Sequence, residues 1–326
     1  MPNPSFPPLS GLSGPGLVAI VGGAGFIGSA LTEAFAAAGW RVRIVCRNPA
    51  HAMHLKPLGD LGQIGAARAD IRSPRTLLPA LAGADAAINL VGILDEKGGQ
   101  GFSEIHARGA EAVARAAAHV SARALIHLSA IGADPNSPSA YGKSKAAGES
   151  AVRSAFPNAA IVRSSLVFGP EDSFTNRFAG LLAASPAVPV IAPDTRFQPV
   201  FVVDLANAIL AITQRLLAGE LGRIWEIGGP EILTMRSILE SIAAASGLDT
   251  PLLDTPDIGA RLLAGLDFLP GAPLTRDQYL MLKRDNIASP DAPGLADLGI
   301  EPTPLAGVAP QWLSRHRPGG RFAARG

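Results

Sequence analysis

One cysteine, Cys46, serves all 326 residues. A lone thiol cannot close an intramolecular disulfide, so the core must hold without a covalent brace, and a reducing, cytoplasmic setting is expected. No Cys/His cluster has zinc spacing, so no metal is expected. Charge is scarce as well: 17% of residues are charged against 48% hydrophobic, and the net charge is +1. This balance excludes a disordered chain and offers no general attraction to nucleic acid. No apolar run approaches the roughly 20 residues that span a bilayer. The first sixteen residues, M-P-N-P-S-F-P-P-L-S-G-L-S-G-P-G, lack the basic start of a secretory signal and the arginines of a transit peptide, and read as a flexible lead. Internal repeats are missing, and tyrosine is almost so, at two residues.

Glycine is not lacking. Leu17 to Phe35 reads L-V-A-I-V-G-G-A-G-F-I-G-S-A-L-T-E-A-F, with Gly22, Gly25 and Gly28 in a G-x-x-G-x-x-G array. Leu17 to Val21 has the unbroken aliphatic pattern of a strand covered on both faces. Ile27, Leu31 and Phe35 then mark one stripe of a helix that stops at Gly39. In such a strand-turn-helix Gly22 permits the tight turn, Gly25 lets the backbone approach a pyrophosphate, and Gly28 allows the helix to pack closely. The intervening Gly23, Ala24, Phe26 and Ile27 complete the loop, whose exposed N–H groups favour an anion.

The rest of the chain extends this start into strict alternation. Strands are expected at Arg41–Cys46, Gly65–Ala69, Ala86–Val91, Ala124–Leu128, Ala160–Val167 and Ile224–Ile227, with helices over 76–81, 106–119 and from Tyr141 onward. The fold class is therefore α/β, a Rossmann-type doubly wound parallel sheet with a small C-terminal α/β cap. Residues 17–168 form the nucleotide-binding domain, completed by about 199–230. Residues 169–198 and 231–310 form the cap, and 311–326 a basic tail. Asp204 is read as the cap of a helix to Leu217, 187–198 as irregular, and 247–310 as lacking a regular pattern. Arg315, Arg317, Arg321 and Arg325 make the tail basic with no acid to balance them. It is either solvated or docks on an acidic surface, anionic lipid or a partner protein.

Two places carry chemistry. About 20 residues beyond the glycines, where an acid would accept from the ribose 2′-hydroxyl of NAD, stands Arg47. A guanidinium pairs with a 2′-phosphate, so NADP(H) is favoured over NAD(H); Arg43 is the other candidate. Cys46 is read as a buried strand residue. Tyr141 and Lys145 form a Y-x-x-x-K pair on one helical face. A neighbouring ammonium favours the phenolate, so Tyr141 is expected to have a lowered pKa and to exchange a proton with a carbinol or carbonyl oxygen while a cofactor moves hydride. Ser129, at the end of the fifth strand, would orient the carbonyl; Ser139 is the substitute, or only a helix cap.

The motifs V-G-G-A-G-F-I-G, A-D-I-R, S-A-I-G-A-D, Y-G-K-S-K, V-R-S-S-L-V-F-G and F-V-V-D-L-A-N-A-I resemble the extended and atypical short-chain dehydrogenases/reductases. With P-L-T-R-D-Q-Y at 273–279 they look most like the branch of the NAD(P)H-binding accessory subunit nine of the complex I alpha subcomplex, whose relatives are epimerase/dehydratase-like. The resemblance implies that Gly22, Gly25 and Gly28 line the pyrophosphate, Arg47 the 2′-phosphate and Asp70 and Ile71 the adenine. Leu90, Val91 and Gly92 would lie on the adenosine side, Tyr141 and Lys145 by the nicotinamide ribose, and Ser164, Ser165 and Val167 by the nicotinamide. Three positions depart from the pattern: Val21 for threonine, Ser164 for proline, and Ala130 after Ser129.

Hydride transfer between NADP(H) and a ketone or secondary alcohol of unknown identity, quinone-related in one version, is the leading expectation. The alternative is a non-catalytic NADPH-binding accessory or assembly subunit of respiratory complex I, peripheral on the inner face of the membrane. A redox-sensing regulator has no feature of its own beyond the shared site.

Overall fold

The computed structural model describes residues 15–96, 99–265 and 274–317. Most of the N-terminal lead, and Arg321 and Arg325 of the tail, lie outside them. Among the described residues a seven-stranded sheet forms the centre, with β1 (Leu17–Val21), β2 (Arg41–Cys46), β3 (Ile64–Arg68), β4 (Ala86–Asn89), β5 (Ala124–Ala130), β6 (Ala160–Ser164) and the edge strand Ile224–Ile227. From that edge the order is Ile224–Ile227, β6, β5, β4, β1, β2, β3, and every pairing is parallel. The chain winds outward from β1 in both directions, which leaves a crevice at the carboxyl ends between β1 and β4.

Burial explains the order. Val18, Ala19, Ile20, Ala86, Ala87 and Ile88 are fully covered because helices pack on both faces. One face meets the helices Phe26–Ala37 and Val202–Leu217, through Leu31, Phe35, Leu205 and Ile209. The other meets Ala110–His119 and Ala140–Ala155, through Val113, Ala117 and Val152. Gly148 of Ala140–Ala155 lies against the helical turn Ser103–Gly109 that leads into Ala110–His119. A Cβ there would stand 2.1 Å from the carbonyl oxygen of His106.

The cap has its own core of Phe168, Leu182, Val190, Ile238, Ile242 and Leu313. Trp312, at the start of the expected tail, is buried in it and stacks on Phe201 with ring centroids 6.4 Å apart. Several expectations are corrected here. The fourth and sixth strands end early, at Asn89 and Ser164, and the fifth runs on to Ala130, so Ser129 lies inside it. The stretch read as irregular contains Val188–Ile191, parallel to Leu252–Thr255, and Arg196–Phe197, antiparallel to Leu233–Thr234. Such short strands owe their form to partners far along the chain, which leaves little periodicity to read. Asp204 lies within the first turn of its helix and accepts from the N–H and hydroxyl of Thr303 at 2.7 and 3.1 Å, so it ties down the C-terminal segment instead of capping.

Gly148→Ala tests this contact. The added methyl meets backbone and not a yielding side chain, so a loss of about 1–3 kcal/mol is expected in urea denaturation. Lys143→Ala, exposed on the same helix, should change stability by less than about 0.5 kcal/mol.

Candidate functional site

A cavity of about 730 Å³ opens at the carboxyl ends of β1, β2 and β4, walled by Gly22, Gly25, Arg47, Asp70, Val91 and Gly92 among others. Gly22 turns with φ +85°, a conformation that a side chain would strain. Gly28 touches the turn itself: a Cβ there would stand 2.5 Å from the backbone of Gly23. Gly25 is different. It is the exposed N-cap of Phe26–Ala37, makes no side-chain cap, and its nearest neighbour would be the Gly22 carbonyl at 3.5 Å. An uncapped helix start beside open space fits a pyrophosphate, for which the residues present supply N–H donors and no obstruction. The Phe26 ring lies against Gly169, 3.0 Å from where a Cβ would be, and joins the glycine turn to the segment after β6.

At the adenosine end, Arg47 is exposed at the tip of β2. Asp70 faces the same cavity, and its carboxylate is held by the Arg72 guanidinium, with one bond of 2.7 Å. Arg72 holds the Asp70 pKa below the usual carboxylate range, with a smaller contribution from the charge of Arg47. Ile71 and Leu90 also line the cavity. Arg43 does not reach the cavity; it donates to the carbonyls of Ala80 and Ala82 at 3.1 and 2.7 Å. The Cys46 thiol is half-buried in the cavity wall and donates to the Asn48 carbonyl at 3.3 Å; burial raises its pKa.

Behind the wall at Gly92, a Cβ on that residue would lie 3.5 Å from His106 Nε2 and 4.0 Å from Lys145 Nζ. Lys145 is buried, donates to the Leu128 carbonyl at 2.8 Å, and burial brings its pKa down to about 8 while Glu149 opposes the shift. Tyr141 is half-buried, edge-on to Phe102 and His106 at 5.9 and 5.4 Å. Burial pushes its pKa up to about 12, the reverse of the lowering expected from the lysine. Desolvation of the phenolate is the cause, since burial penalises its charged form.

The third hydroxyl is where sequence and structure part. Ser129 is buried and donates to Glu149 at 2.5 Å. Glu149 also takes the guanidinium of Arg163, at 2.8 and 3.0 Å, and Arg163 reaches Glu226 at 3.2 Å. Ser139 is the N-cap of Ala140–Ala155, accepting from Gly142 N–H at 2.9 Å. Ser164 is buried in β6, Ser165 donates to Asn286 Oδ1 at 2.7 Å, and Val167 pairs with Val200. Neither these three nor Tyr141, Lys145 and Ser129 belong to the cavity wall.

Sequence reasoning missed His106. Its Nε2 accepts from Ile93 N–H at 3.0 Å, so the proton sits on Nδ1 and is donated to Ser144 Oγ at 2.8 Å; Ser144 in turn donates to the Tyr141 carbonyl. It lies in a π-helical turn, Ser103–Gly109, which no local pattern announces. Sequence reasoning also missed that Y-x-x-x-K occurs twice. Tyr279 and Lys283 share the spacing, but both bond Asp257, at 2.8 and 2.7 Å, and the trio pins one cap helix to another.

The sheet, the glycine turn and the cavity define a Rossmann-type NAD(P)-binding protein. Residues 18–228 match the NAD dependent epimerase/dehydratase family, and the chain belongs to it. It is 32% identical to the NADH dehydrogenase [ubiquinone] 1 alpha subcomplex subunit 9 of Dictyostelium discoideum, over 95% of this chain and 87% of that protein. It is 34% identical to a ceramide reductase of Caulobacter vibrioides over 75% of each. Among solved structures, MoeE5 in complex with UDP-glucose and NAD superposes with a TM-score of 0.69 at 18% identity, covering 92% of this chain and 99% of that one. The UDP-glucose 4-epimerase of Thermus thermophilus in complex with NAD gives 0.65 at 20%, covering 91% and 98%.

These findings overturn the expectation of NADP(H) over NAD(H): the family is described by its NAD dependence, and both structures hold NAD. The inference from Arg47 failed because a hydroxyl oxygen also accepts, so a guanidinium serves a ribose as well as a phosphate.

Two measurements follow from the geometry. Gly25→Ala should keep its urea midpoint and lose dinucleotide affinity in calorimetry by about tenfold or more, whereas Gly28→Ala should lose both, by about 1–3 kcal/mol in stability. The buried imidazole of His106, held neutral with a pKa of about 3 by desolvation and the charge of Lys145, sets a pH dependence. The unfolded histidine takes a proton near pH 6.5, so the stability this group contributes is complete above 6.5 and is lost as pH falls toward 3, at about 1.4 kcal/mol per pH unit. His106→Gln should flatten the slope of stability against pH between 6 and 4.

Proposed function

We propose that the protein holds NAD(H) in the Gly22–Gly28 cleft as a structural ligand and works as an accessory or assembly component of an NADH dehydrogenase of the kind its relatives' names describe. One observation carries this reading: both hydroxyls that could complete a catalytic group with Tyr141 are committed, Ser129 to Glu149 and Ser139 to the helix start. A bound nicotinamide would supply hydride chemistry. Beside it Lys145, anchored on Leu128, would hold the ribose, and Tyr141, with its proton firmly retained, would donate a hydrogen bond without cycling. The 32% identity to subunit 9 over nearly the whole chain supports the same role. Arg315 is exposed and bonded to Asn176 and to His316, and the sequence after Glu301 contains no acid, a charge balance suited to an acidic partner.

Hydride transfer is the second reading, favoured by the intact Tyr141/Lys145 pair and by the likeness to a ceramide reductase. Native mass spectrometry and turnover assays separate the two. The accessory reading expects NAD or NADH carried through purification, affinity within about twofold of wild type in Tyr141→Phe, no sustained NADH oxidation with ketones or quinones, and co-purification with a membrane respiratory assembly. Turnover that disappears in Tyr141→Phe would replace it.

A further inference from the structure

A doubly wound sheet presents its ligands beyond the carboxyl ends of its strands. Here a later part of the same chain already lies across the ends of β5 and β6. Residues 274–286 are fastened at several points. The Asp277 carboxylate accepts from Ala140 N–H at 2.6 Å and from Tyr141 N–H at 3.1 Å. Arg284 pairs with Asp134 at 3.2 Å, in the turn after β5. Asn286 donates to the Ile131 carbonyl, one residue beyond β5, at 3.1 Å, and accepts from Ser165, one residue beyond β6, at 2.7 Å. Thr195 donates to the Leu282 carbonyl at 2.6 Å, which ties the segment to the cap.

Asp277 adds something the helix does not supply for itself. Ala140–Ala155 has its own N-cap in Ser139, which takes the Gly142 amide; Asp277 takes the two amides that Ser139 leaves. Bonds from amides to a carboxylate are about twice as strong as neutral ones. The segment's own helix, Arg276–Met281, is six residues long, with a Thr275/Gln278 capping box. A helix that short is not stable alone, so the anchors hold the segment in place. Two of them, Asp277 and the Arg284–Asp134 pair, face solvent in part, the condition for opening without global unfolding.

We propose that residues 274–286 are a strap that sets what reaches Tyr141, with Asp277 as its positioning residue. By holding the Tyr141 backbone, Asp277 keeps the ring against Phe102 and His106 and keeps the substrate side of the sheet closed. The proposal rests on reading the cleft as a dinucleotide site, and applies whether or not hydride is transferred.

Nitration by tetranitromethane, mapped by peptide mass spectrometry, tests it, because the two tyrosines fall in different peptides. With and without saturating NAD, Asp277→Ala is expected to nitrate Tyr141 about fivefold or more faster than wild type. Asp277→Asn, which keeps one acceptor oxygen, should fall between them, with the thermal midpoint nearly unchanged. Arg284→Ala releases a second anchor, and decides the matter if Asp277→Ala does not fold. Equal Tyr141 nitration in wild type and in every folded variant overturns the strap. Variants that nitrate as expected, beside a wild type that shows no NAD binding in calorimetry, overturn the dinucleotide reading and leave the strap standing.

Discussion

In a chain with so little charge, one arginine is placed between two buried carboxylates, and the carboxyl-end geometry depends on it. Arg163, on β6, joins Glu149 of the Tyr141 helix to Glu226 of the edge strand, and Glu149 in turn holds Ser129 on β5 while Glu226 accepts from Ser289 N–H. Three neighbouring strands, a helix and the returning C-terminal segment are thus fixed to one guanidinium. Removing one partner would strand the others unpaired in a dry setting, where an uncompensated charge costs several kcal/mol. The same arrangement withdraws Ser129 from chemistry.

The nucleotide-binding half was legible because its strands are covered on both faces and written as continuous aliphatic runs. β2 and the edge strand Ile224–Ile227 fall where the pattern puts them. The glycines were legible for a related reason: Gly22 and Gly28 are demanded by backbone conformation and backbone contact, constraints that only one residue type satisfies. In the cap the helices at Ser173–Ala184 and Met235–Ser246 were legible, but the two- and four-residue strands were not, since they exist by pairing across long separations. The site lay between these cases. The Y-x-x-x-K spacing located Tyr141 and Lys145 correctly on one helix, yet Tyr279 and Lys283 share it and serve only as a brace. Spacing gave the face, and the neighbours gave the meaning. His106 and the commitment of Ser129 and Ser139 depend on contacts between distant segments that no local window contains.

Membership of the NAD dependent epimerase/dehydratase family fixes the scaffold and leaves the use of the site to its side chains. Relatives whose names describe a respiratory subunit and a reductase lie at nearly the same identity from this chain. Overall identity therefore does not separate the two uses, and the groups around Tyr141 carry the distinction in this chain. In this chain the ammonium is turned to a carbonyl, the serines are engaged, and the phenol retains its proton.

The Asp277 contact also bears on how the protein is made. The helix that begins at Ala140 receives two of its end acceptors from a residue synthesised more than a hundred positions later. On the ribosome, the sheet from β1 to β6 can assemble while that helix start still faces water, and it is completed only when the last segment folds back. A chain interrupted before Leu274 would lack these acceptors and, with them, the finished end of its own site. The start of the Tyr141 helix is thus completed by the C-terminal segment, whatever the glycine turn does earlier.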